Sequence, residues 1–172
     1  MASLMEELIN ILDEENGLYE QLLSLSMKKT PVIISADLET LSKITDDEQE
    51  IVNKIGVLDS KRNQSMRDIA NVINKDVNSL KLTELIEMLK SRPAEQNRLA
   101  TVYDKLVDTL AQMRRVNDQN RELIESSLEM IQFDLNVLQA YKSAPETANY
   151  TNNAYSAGAY MGDNKGGFDA KQ

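Results

Sequence analysis

Residues 94–144, AEQNRLATVYDKLVDTLAQMRRVNDQNRELIESSLEMIQFDLNVLQAYKSA, decide the fold. Neither Gly nor Pro interrupts these 51 residues, so nothing in them breaks a helix. Their seam positions step by threes and fours: Leu99, Val102 or Tyr103, Leu106, Leu110, Met113, Asn117, Asn120, Ile124, Leu128, Ile131, Leu135 and Leu138. That rhythm predicts one amphipathic α-helix from Pro93, which suits a first helical turn, to about Ala144. At 1.5 Å per residue such a helix is about 75 Å long.

Upstream, the same spacing predicts two more long helices. Leu4, Leu8, Ile11, Leu18, Leu22 and Leu25 form the first row, with Glu15 in its vacant slot. Ile9, Leu12, Tyr19 and Leu23 widen it into a stripe broader than a two-stranded seam. This helix covers about residues 3–29, with a continuation through Pro31 as the alternative. Ser35-Ala36-Asp37 reads as a break, with Asp37 as the next N-cap and Glu39 in the first turn. The second helix reads Leu38, Leu41, Ile44, Glu48, Ile51, Ile55, Leu58, Arg62, Ser65, Ile69 and Val72 before a polar stretch, Asn74 to Asn78, ends it. A short helix over about 79–91 carries Leu82, Leu85, Ile86 and Leu89 on one side. The expected class is therefore all-α: an elongated antiparallel bundle or coiled coil of three long helices and one short one. The first two helices are shorter than the last, so one end of the long helix lacks a full set of partners.

Pro145 ends the periodicity, which divides the chain into a helical domain, 1–144, and a tail, 145–172. The tail is rich in Asn, Ala and Gly and has no apolar period, so it is expected to be disordered. It nevertheless carries Tyr150, Tyr155, Tyr160 and Phe168, half of the aromatic residues of the chain.

Composition narrows the function. Aromatic residues make up only 5% of the chain, so Leu, Ile and Val carry the burial, as in helix bundles. Cys and His are both absent, which removes thiolate nucleophiles, the commonest general base and the commonest transition-metal ligand. A Ser26-x-x-Lys29 match lacks its companion motifs, and no phosphate-binding glycine loop occurs. Neither catalysis, a cofactor nor a metal is expected. Asp46, Asp47, Glu48 and Glu50 lack the spacing of a calcium loop and read better as a solvated helix face. The net charge is −9, with 13 acidic and 4 basic residues in the first 60, which disfavours nucleic acid. No window approaches the roughly 20 apolar residues of a membrane span, and acidic residues interrupt any N-terminal signal. A cytoplasmic protein is expected.

What remains is an apolar helical row offered to another chain. Ile124, Leu128, Ile131, Leu135 and Leu138 are spaced as anchors, with Met130 beside them. Such rows are usually core, but the excess length of this helix favours an exposed one. Asn117 and Asn120 have two readings of equal weight. They bond across helices and fix register, or they mark where the packed part gives way to a partner-facing part that starts at Asn120.

Three stretches resemble the FlgN family of cytoplasmic flagellar export chaperones. LMEELINILDEENGLYEQLLSLSMKKTP (4–31) is similar to its first helix, and ADLETLSKITDDEQEIVNKIGVLDSKR (36–62) to its second. VNDQNRELIESSLEMIQFDLNVLQAY (116–141) resembles its C-terminal helix. Each pattern is generic by itself, and the specificity lies in their combination and order over roughly residues 4–142. The resemblance implies a chaperone that binds the amphipathic C-terminal helices of hook-associated proteins, prevents premature assembly and delivers them to the type III export apparatus. It also implies a tyrosine-bearing segment at the export gate, for which Tyr150, Tyr155 and Tyr160 are the candidates, with folding of the tail over the free groove as the alternative. The alternative is a structural coiled-coil protein that forms a homodimer through the same row.

Overall fold

A computed structural model describes residues 2–143, and every long periodic stretch in them is helical. Helix α1 spans Ala2–Ile34, α2 Leu38–Ile73, α3 Leu82–Met88 and α4 Pro93–Ser143, with a 3₁₀ turn at Leu89–Ser91 after α3. The chain divides into two units, Met1–Ile124 and Glu125–Gln172. The tail 145–172, with its expected disorder, lies outside the described residues.

The helix ends follow from local chemistry. α1 runs through Pro31 in its final turn, where the ring leaves one bond of the ladder, to Met27 O, unmade. A left-handed residue then closes it: Ala36 has φ 55°, Asp37 N–H donates to Val32 O and Ala36 N–H to Ile33 O. This is the paired bonding of a Schellman stop, built on alanine where glycine is usual. Asn74, with φ 53°, closes α2 in the same way, through Lys75 N–H to Ala70 O and Asn74 N–H to Asn71 O. Asp37 caps α2 as expected, its carboxylate accepting from Thr40 N–H at 3.1 Å and from the Thr40 hydroxyl at 2.6 Å. The short helix is shorter than its apolar pattern suggests. Residues 77–79 form a turn instead, with Ser79 and Leu80 N–H donating to the Asp76 and Val77 carbonyls, and the last turn tightens to 3₁₀ before Pro93.

Cross-helix bonds set the topology of the first unit. Arg62 reaches Glu15 and Glu48 reaches Ser26, so α2 runs antiparallel to α1. Arg98 reaches Glu6, Thr109 reaches Asn16 and Asn120 reaches Ser26, so α4 runs parallel to α1. The main core gathers Met5, Leu8 and Leu12 of α1, Ile69 of α2, Leu85 of α3, and Leu99, Val102 and Leu106 of α4. A second cluster of Leu22, Ile51 and Met113 continues it along the helices.

Polar layers punctuate that core. Glu15 is fully buried, with one carboxylate oxygen 2.9 Å from Arg62 Nη1 and the other without a hydrogen-bond partner. Burial pushes its carboxyl above the ordinary glutamate range, against the pull of Arg62. Asn16 accepts from Thr109 at 3.1 Å, and Glu48 joins Ser26 and Lys29. The acidic stretch is thus a solvated face at Asp46, Asp47 and Glu50, while Glu48 turns inward to α1.

Candidate partner-binding face

On α4 the inward positions of the first unit are Leu99, Val102, Leu106, Thr109, Met113 and Asn120. Thr109 takes the slot expected for Leu110, which is exposed, and Asn120 is buried while Asn117 faces solvent. The two asparagines are three residues apart, and only the register of α1 against α4 distinguishes them.

Asn120 has its side chain fully engaged inside the bundle. Its amide N–H donates to Ser26 O at 2.8 Å, and its amide oxygen accepts from Thr30 Oγ1 at 2.7 Å. A buried group so satisfied has no surface to offer a partner, so among the residues expected to face one, Asn120 instead fixes register.

The rest of the row is open. Ile124, Leu128, Ile131, Leu135 and Leu138 are between 38% and 60% exposed. In the second unit no residue from Glu125 to Ser143 is buried, and all but Ser127 and Ala140 are exposed. Apolar side chains at 4-3-4-3 spacing thus stay uncovered over four turns. Glu125, Glu129, Gln132, Asn136 and Gln139 flank the row as a polar border. Tyr150, Tyr155 and Tyr160 lie outside the described residues.

A groove between α1 and α2 is lined by Leu18, Val57 and Leu58, with Glu14 and Lys54 at its margins. Among the described residues, no group of three acidic side chains is placed to hold a metal ion. No helix among them is long and apolar enough to cross a membrane.

The comparison with protein families is decisive. The family described as FlgN protein matches residues 1–157, which takes in every described helix. The chain belongs to the FlgN family. Its general role is therefore that of a flagellar export chaperone, a protein that holds flagellar components for export. Among curated proteins, this FlgN chain is similar to the "Uncharacterized protein YvyG" of Bacillus subtilis (strain 168), at 25% identity over 121 residues, 70% of this chain and 72% of that protein. No solved structure matches it.

Proposed function

We propose that this FlgN chain is a cytoplasmic chaperone that binds the helical C-terminal segments of hook-associated proteins and delivers them for type III export. The observation that carries the reading is the uncovered apolar row Ile124, Leu128, Ile131, Leu135 and Leu138 on a helix that buries Leu99, Val102, Leu106 and Met113 upstream. A client helix laid on that row buries its own apolar face, which both shields it from premature assembly and gives the affinity. The tail tyrosines Tyr150, Tyr155 and Tyr160 are assigned to contact with the export gate after loading.

Calorimetric titration of a hook-associated protein, and of the same protein without its C-terminal helix, tests this. Binding by the first and none by the second supports the proposal; equal binding of both overturns it. Light scattering over a concentration series addresses the alternative, a homodimer built through the same row. A tight dimer with no affinity for either protein would favour that alternative.

A further inference from the structure

The second unit carries a second apolar stripe beside the proposed client row. Set in a heptad, Leu128 and Leu135 take position a, and Ile131 and Leu138 take d. A helix that seats one partner helix keeps its other positions polar. Here only b and e are consistently so, with Glu129, Gln132, Asn136 and Gln139. Met130 and Val137 occupy c, Phe133 occupies f, and Tyr141 occupies g. These four are 51% to 78% exposed, at least as open as the first row.

An apolar surface of this breadth is too wide for one helix. At 100° per residue the two stripes together span roughly 220° of the circumference, whereas a single seam needs about 100°. Size leads to the same conclusion. A partner helix 10–12 Å across, laid along about 28 Å of α4, covers on the order of 300 Å² of each chain. That is about 600 Å² in total, half of the roughly 1,200 Å² at which stable, specific interfaces begin. Two helices reach that figure.

Resting on the proposed function, we infer that the client engages this FlgN chain as a pair of α-helices, one on Leu128, Ile131, Leu135 and Leu138 and the other on Met130, Phe133, Val137 and Tyr141. Asp134 stands between the stripes, so the client supplies a cation or an amide donor where its two helices meet.

The test uses the full chain and an intact hook-associated protein, with Phe133→Glu/Val137→Glu as the variant and Met130→Lys as a milder second one. Far-UV circular dichroism checks that both keep their helix, which exposed positions allow. Phe133→Glu/Val137→Glu is expected to weaken binding of the intact client by 100-fold or more, and Met130→Lys by about tenfold. A synthetic peptide of the client's single C-terminal helix is expected to bind at least 100-fold more weakly than the intact client. Intact-client binding at wild-type affinity by both variants overturns the two-helix reading while leaving the client row standing. If Leu128→Asp/Leu135→Asp also binds normally, the proposed function itself fails. A chain ending at Ser143 separates the remaining occupant. If its affinity for the intact client rises, and Phe133→Glu/Val137→Glu gives the same rise in the full chain, residues 144–172 cover the second stripe and the inference is wrong.

Discussion

The side-chain amide of Asn120 donates to the main-chain carbonyl of Ser26 at 2.8 Å, joining two helices 94 positions apart in sequence. Together with the bond from Thr30, it pins α4 to the last turns of α1 at one register. Beyond Asn120 the buried residues of α4 end, and the exposed row begins at Ile124. One residue thus closes the core, and the next anchors are uncovered.

Asn120→Ala should destabilise the fold by about 1–3 kcal/mol, since it removes both bonds and leaves the Thr30 hydroxyl without its acceptor. Client affinity should stay unchanged. Urea denaturation beside calorimetry checks both. An unaltered midpoint would show that water replaces these bonds freely.

Core and row should respond oppositely to the same substitution. Leu99, fully buried, should cost about 2–5 kcal/mol on replacement by Ala. Leu135→Ala should lie within about 0.5 kcal/mol of wild type, because the residue leaves no cavity. Thermal melts of the two variants would separate them by many degrees. Comparable melting points would place Leu135 in a core.

Glu15 gives stability a pH dependence of unusual sign. Its carboxyl holds a proton more readily in the fold than in the unfolded chain, because burial outweighs Arg62. Its favourable contribution is therefore complete below the ordinary glutamate range and is lost as pH rises through the raised value. Asp37 acts in the other direction. Bonding from Thr40 lowers its carboxyl, so its contribution is present above the ordinary range and lost as pH falls. The stability of wild type minus that of Glu15→Gln should thus decline as pH rises above the ordinary glutamate range. A difference that grew with pH would contradict this. Arg62→Ala should cost about 2–4 kcal/mol at neutral pH, less than a fully buried pair, because the guanidinium keeps some solvent.

Ala36 sits at φ 55°, a conformation that disfavours any residue with a Cβ. Ala36→Gly should stabilise the α1–α2 turn by about 0.5–1 kcal/mol, after allowing for the extra freedom glycine has when unfolded. Chemical denaturation measures it directly, and a destabilised variant would mean that the turn relaxes to another geometry.

Much of this architecture is legible in the sequence because helix period, caps and breakers are local. Asp37, Pro93 and the absence of Gly and Pro from 94–144 mark helix ends that the structure keeps. The errors lie where tertiary register decides. Periodicity alone assigns Leu110 and Thr109 equally well to the seam, and it treats Asn117 and Asn120 alike; the α1 groups opposite, the Asn16 and Thr30 side chains and the Ser26 carbonyl, select Thr109 and Asn120. The pairing of Glu15 with Arg62 was likewise hidden, since two polar interruptions in separate rows reveal nothing of each other until the helices are aligned. The second stripe, Met130, Phe133, Val137 and Tyr141, is present in the sequence but becomes meaningful only when α4 is seen uncovered there.

The most direct measurement is the affinity of Leu128→Asp/Leu135→Asp for a hook-associated protein, with far-UV circular dichroism on the same sample. The expected result is a loss of binding on the order of 100-fold or more with helix content retained, since both leucines face outward. Wild-type affinity would show that the client binds elsewhere, and collapse of the helical signal would show that these leucines belong to a core.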